Sequence, residues 1–209
     1  MKRIVLIMGV FVLGLGSLFV SAQQGVPSAK ATASWVGIDY TPPVAGQFYE
    51  DTGLMSIIKT SEKADLILSL SAETCLGTNV KISGTGAEEI STSQAAVIAR
   101  VEVYQNGILE AVAEPGEVTF GDRLIKLRGL LWTGSQVGMD ALPTQFIELY
   151  MKTRDAHCFN FVVKDLDSGV HQIKVFWKST WSGVATDLGD LTAMVGKRSM
   201  VVEAVRMVN

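Results

Sequence analysis

Few side chains in this sequence carry obvious chemistry. Its 209 residues include two cysteines, Cys75 and Cys158, and two histidines, His157 and His171. The chain opens on what reads as an export leader, and in an exported chain an even pair of cysteines predicts a disulfide. A Cys75–Cys158 bond would tie early strands to middle ones and contribute about 4 to 5 kcal/mol on the chain-entropy account of so long a loop. A thiol nucleophile is the weaker reading. His157 adjoins Cys158, but neighbours on a strand point to opposite faces, so the imidazole could not serve the sulfur. His157 and His171, if they stand on two arms of one hairpin, could share a metal with a carboxylate. Ordinary strand histidines, hydrogen-bonded or solvated, are the simpler account.

Asp165-Leu166-Asp167-Ser168-Gly169 has the D-x-D spacing that opens calcium loops. Asp165 and Asp167 are therefore candidate calcium ligands, joined by Asp187 if the later loop folds beside them. The match stops there, because Phe176 stands where a bidentate Glu would close the loop, and Asp-Ser-Gly is already turn chemistry. Glu88 and Glu89 read as a solvated pair, and Gly84-Thr85-Gly86 as a mobile loop rather than a phosphate cradle. Among the aromatics, Trp181 lies in a polar stretch, Ser179 to Gly183, and with Trp132 is the candidate for stacking on a glycan. Trp177 shares a strand face with Ile173 and Val175 and reads as core. The chain has no G-x-S-x-G elbow, H-E-x-x-H, P-loop or G-x-G-x-x-G. No cofactor is expected, calcium being the one candidate.

The elements that must position these groups are strands. Leu66, Leu68 and Leu70 alternate with Ile67, Ser69 and Ser71, and Val97, Ala99, Val101 and Val103 alternate with Ile98, Arg100, Glu102 and Tyr104. Asn106-Gly107 between two apolar runs predicts a type I′ hairpin. Strands are expected at 35–40, 54–59, 64–74, 95–104, 108–113, 117–120 and 123–133. Further strands are expected at 145–152 and 156–164, split at Thr153-Arg154-Asp155, then at 170–178, and in two pieces of 191–208 divided at Gly196-Lys197. Asp167-Ser168-Gly169 reads as the turn of a second hairpin. The stretches 76–94, 134–143 and 180–190 read as long connections, the first carrying a short strand candidate at Val80 to Ile82. No amphipathic helix or fixed-period repeat is visible. The pattern predicts an all-β protein, a single β-sandwich with jelly-roll or immunoglobulin-like Greek-key wiring. The run G-x-H-x-I-x-V-x-W at Gly169 to Trp177, with Gly196-Lys197-Arg198 and its apolar strand, resembles the closing strands of exported bacterial and archaeal jelly-roll and immunoglobulin-like domains.

Lys2 and Arg3, the uncharged apolar run Ile4 to Val20 and the small-residue site Val20-Ser21-Ala22 form a secretory signal peptide over residues 1–22. The apolar run approaches the roughly 20 residues of a membrane span, but Gly9, Gly14 and Gly16 weaken it as a helix, and the cleavage site follows directly. No stable membrane span is expected after cleavage. Residues 23–34 read as a flexible N-terminal segment and 35–209 as one β-sandwich domain. Without the leader's Lys2 and Arg3, the 18 basic residues become 16, five fewer than the 21 acidic ones. That argues against a nucleic-acid partner, which calls for a basic stripe. The hydrophobic content of 48% likewise argues against disorder.

The expectation is a secreted protein, extracellular, at the cell surface or in a periplasm. Its leading reading is a non-catalytic structural or interaction protein, a self-assembling surface or filament subunit using residues 23–34 as a donor strand. Its partner would be another copy or another extracellular protein. A carbohydrate- or ligand-binding module using Trp181 and Trp132 is the alternative. A secreted hydrolase built from scattered histidines and carboxylates ranks third.

Overall fold

The computed structural model describes residues 31–83, 88–130, 146–183 and 192–206. Among them there is no helix, and nine strands form two antiparallel sheets packed face to face, a β-sandwich. The strands are β1 (Ala31–Val36), β2 (Phe48–Thr60), β3 (Ala64–Ser83), β4 (Glu88–Gln105), β5 (Ile108–Val112), β6 (Val118–Leu130), β7 (Phe146–Leu166), β8 (Gly169–Ser182) and β9 (Thr192–Val205). One sheet runs β1-β9-β3-β7. The other runs β2-β8-β4-β5, with β6 also paired to β4. With β5 and β6 lying end to end along one side of β4, this is jelly-roll wiring, in which every connection except β4–β5 and β5–β6 crosses between sheets.

The alternations anticipated from sequence set the core. Leu66, Leu68 and Leu70 of β3, Val97, Ala99, Val101 and Val103 of β4, and Ile173, Val175 and Trp177 of β8 are all fully buried. Each Leu, Ile or Val side chain among them, removed from water, contributes about 1.5 to 3 kcal/mol. Asn106 and Gly107 take φ of 52° and 80°, as a turn with positive φ at both central residues requires.

Several expected breaks are continuous strand. The stretch 76–94 is no surface connection, because β3 runs on to Ser83 and β4 starts at Glu88. Its polar composition hid this, since several of those polar groups are paired across strands. Ser91 Oγ accepts from the Lys81 amide at 3.2 Å, Glu89 Oε2 from the Ser83 amide at 2.7 Å, and Asn79 Nδ2 donates to Glu148 at 2.6 Å. Thr153-Arg154-Asp155 does not split β7, which pairs with β3 without interruption from Leu66 to Ser83. Nor is the strand broken at Gly121-Asp122 or at Gly196-Lys197. The first lies within β6, and the second is a register shift opposite Ala72 and Thr74 inside β9. The first strand begins at Ala31, so residues 31–34 of the expected flexible segment pair with this chain's own β9. Asp167-Ser168-Gly169 does not close a hairpin, because β7 and β8 lie in different sheets. The leader, residues 23–30, Gly84-Thr85-Gly86, the expected loop 134–143 and most of 180–190 lie outside the described residues.

One ion pair crosses the sandwich. Asp51, on an irregular stretch of β2, and Arg198, on β9, are both almost wholly buried. Arg198 donates through Nε and, at 2.9 Å, through Nη2 to the two Asp51 oxygens, and Trp177 Nε1 donates to Asp51 Oδ2 at 3.0 Å. Its remaining terminal nitrogen donates to the carbonyls of Ile38 at 2.6 Å and Gly196 at 3.0 Å. Burial, with the Asp51 carboxylate nearby, pushes the Tyr40 phenol up from its ordinary pKa.

On the outer face of the second sheet, Tyr104 donates to Glu102 at 2.5 Å, and that bond pushes the phenol up to about 12. A folded-state pKa above the unfolded 10.0 means this contribution is whole below pH 10 and is lost as pH rises through about 12. Denaturation midpoints should fall across that window in the parent protein and fall less in Tyr104→Phe. Arg198→Met should destabilise by about 3 to 5 kcal/mol in denaturant unfolding, because it strands a buried carboxylate, and Asp51→Leu combined with Arg198→Met should recover much of that loss.

Candidate functional site

The groups singled out from sequence do not converge. Cys75 and Cys158 are free thiols, Cys75 buried and Cys158 exposed. The β3–β7 register places Cys75 opposite Arg154 and Cys158 opposite Ser71, four residues apart along neighbouring strands. That offset is about 13 Å at the rise of a strand, well beyond the roughly 7 Å limit for bridging two Cα atoms. The expected disulfide is therefore corrected. An even cysteine count carries no information about register, and register decides.

The expected loop around Trp181 is corrected as well, since β8 runs on to Ser182. Trp181 lies on β8 opposite Ala95, half-buried against the core. Trp132 and Asp187 lie outside the described residues. Asp165 forms a 3.0 Å ion pair with Lys63, and its amide donates to Asp65 Oδ1 at 2.8 Å. Asp167 is exposed, and its carbonyl accepts from the Thr60 hydroxyl at 3.1 Å. Among the described residues no three His, Cys, Asp or Glu side chains converge to hold a metal. His157 is exposed on β7, while His171 is buried on β8 in the other sheet, so the two histidines do not meet.

His171 instead anchors a group that sequence reasoning missed. Its Nδ1 is 2.9 Å from Glu110 Oε2, and its Nε2 is 3.0 Å from Thr60 Oγ1 and 3.0 Å from the Asp167 carbonyl. Hydroxyl, imidazole and carboxylate stand in the order of a nucleophile, base and orienting acid. The imidazole is completely buried, however, and Thr60 Oγ1 also accepts from the Gly169 amide at 3.2 Å. The arrangement ties β2, β5 and the β7–β8 turn together and offers a substrate no entry. One signal was available: a histidine in register with Ile173, Val175 and Trp177 must be buried, and a buried imidazole needs partners.

The open chemistry lies along one flank of the sandwich. Gly121 and Gly129 let β6 settle directly onto β3. A Cβ on Gly121 would fall 2.7 Å from Thr74 Oγ1, and one on Gly129 would fall 2.5 Å from Ile82 Cδ1. Seated over β3, β6 also meets β7, the next strand out, where Phe120 packs on Phe159. Among the described residues no strand lies over the Phe146 end of β7. Ile147, Leu149 and Met151 stand opposite the buried Ile82, Val80 and Thr78 and so point inward, yet they remain 47%, 39% and 40% exposed. Ile125 and Leu127 of β6 are half-buried on the other lip. Further along the same flank a cavity of about 350 Å³ is lined by Thr74, Phe120, Arg123, Asp155 and Phe159. Arg123 Nη1 is buried with no hydrogen-bond partner among the described residues. The outer edge of β7 is bridged at Val162, where it exchanges both backbone bonds with Glu114 at 2.8 and 3.0 Å. Toward Phe146 no described strand pairs with it.

No family model matches the chain, and no curated protein matches it. Among solved structures, that of infectious bursal disease virus Gx strain aligns with 10% identity and a TM-score of 0.12, over 85% of this chain and 40% of that one. A likeness that slight carries no argument.

Free thiols at these positions have a direct readout. A disulfide-exchange reagent should titrate one cysteine rapidly in the native protein, and Cys158→Ser should remove that fast phase. Cys75 should react only on unfolding.

Proposed function

We propose that the protein is a non-catalytic, exported subunit that assembles with copies of itself by strand addition. The segment preceding β1 of one copy would fill the flank left open between β6 and β7 of the next. The open flank carries this reading. Ile147, Leu149 and Met151 face inward with no described residue covering them, on an edge that no described strand pairs, the kind that proteins kept monomeric cover or charge.

The register argues that the occupant comes from a second copy. Ala31, Glu203, Ile67 and Val162 form one row across the first sheet, and β1 runs from that row toward the level of Ala72. The chain before Ala31 therefore leaves at the Val162 end, away from Leu149. Leu149 pairs with Val80, which lies about 43 Å further along β3 at the rise of a strand. Gln23 to Lys30, fully extended, reach at most about 29 Å, so this segment cannot return to its own flank. A copy stacked end to end places the two together. Because donor and acceptor lie at opposite ends, the contact is head to tail and does not close on itself, the condition for a filament. In an exported protein, such filaments would form outside the membrane.

Negative-stain microscopy of the protein processed at Ala22 should show filaments, and deletion of Gln23 to Lys30 should leave monomers. Leu149→Lys combined with Met151→Lys should also stop growth while leaving the donor segment intact. Mixing the two arrested proteins should yield discrete heterodimers, since each retains the half that the other lacks. Unchanged particle size after the deletion would overturn strand donation.

A further inference from the structure

We propose a saccharide-binding groove on the outer face of the first sheet, walled by Trp35 and fitted to a neutral oligosaccharide. It lies apart from the flank between β6 and β7 and does not depend on assembly.

The register builds it. Trp35 pairs with Ser199, Ser199 with Ser71, and Ser71 with Cys158, so one row crosses β1, β9, β3 and β7 on a single face. Three small side chains in line make a low floor, and the indole at its end is 80% exposed. The row spans three strand spacings, about 14 Å, which is longer than one sugar ring. The cavity over it has a volume of about 650 Å³, within the usual range of small-ligand sites.

The lining selects the ligand class. A pyranose presents an apolar C–H face and an edge of hydroxyls. Trp35 offers the flat apolar surface for the first. For the second, the floor offers the hydroxyls of Ser71 and Ser199, and the wall offers Glu73, whose Oε2 is buried with no hydrogen-bond partner among the described residues. The nearest cation to that oxygen is Arg154 Nη1, at 3.8 Å. An acceptor left in that state calls for a donor, and hydroxyl groups supply one. Glu73 and Lys197 oppose each other in charge and Arg198 is already neutralised by Asp51, which favours a neutral ligand over an ionic one. Strand addition does not suit this place. The backbone of β9 and β3 beneath the groove is engaged in ladders on both sides, so the face offers no free edge there.

The test is calorimetric titration of the assembled, full-length mature protein with cellohexaose, maltohexaose, mannohexaose and N-acetylchitohexaose, followed in parallel by tryptophan fluorescence. Saturable binding of at least one probe is expected. Trp35→Ala should weaken it roughly tenfold or more, Glu73→Gln should weaken it severalfold, and filament formation should persist in both variants. Saturation by none of the four probes, or undiminished binding by Trp35→Ala, would overturn the proposal. So would a Trp35→Ala protein that no longer assembles, since the groove would then be a contact between copies. Binding that survives in monomers lacking Gln23 to Lys30 keeps this site standing even if strand donation fails.

Discussion

Everything in this sandwich depends on a charge that has no water to turn to. Asp51 is buried on one sheet and Arg198 on the other, and each carries almost all of its hydrogen-bonding capacity into the interior. A buried ion pair adds little net stability over a well-packed apolar pair, because desolvating both charges offsets their attraction. Its larger effect is on uniqueness. Only one relative placement of β2, β8 and β9 brings the guanidinium and the indole of Trp177 to the same carboxylate, and the carbonyls of Ile38 and Gly196 to the same guanidinium. Apolar faces alone would tolerate sliding, whereas a half-satisfied buried charge does not.

That fixed placement leads to the open flank. With the sheets held in register at the β9 side, Gly121 and Gly129 bring β6 down on β3, and β7 is left overhanging. The same strand is thus well packed at Phe161 and Val163, where it is bridged by Glu114, and, among the described residues, uncovered at Ile147 to Met151. Inward-facing apolar groups in that state give the proposed association its physical reason. The row of small residues beside Trp35 comes from the same regularity, since long continuous strands place equivalent side chains in line across four neighbours.

Much of the architecture was legible in the residues. The alternations in β3, β4 and β8 name the buried faces because a half-buried strand permits no other period, and Asn106-Gly107 announces its turn through the φ values it alone accepts cheaply. Strand ends were less legible. Asn79, Ser91 and Glu89 look like loop residues until their partners are known, and Arg154 interrupts a pattern without interrupting a strand. The chemical groups were least legible. Cys75 and Cys158, Trp181, and the two histidines were judged on type and spacing. Their fates turned on register, on which sheet each strand joined, and on whether β8 continued past Ser179.

The sequence by itself determined the β class, the buried faces and the tight hairpin, because these follow from periodicity and local backbone sterics over a few residues. Only the tertiary structure decided that the two thiols stay apart, that His171 finds Glu110 and Thr60, that Asp51 meets Arg198, and that β7 overhangs. Each of those facts joins residues distant along the chain, and such a pairing depends on strand order and register, which no local spacing encodes.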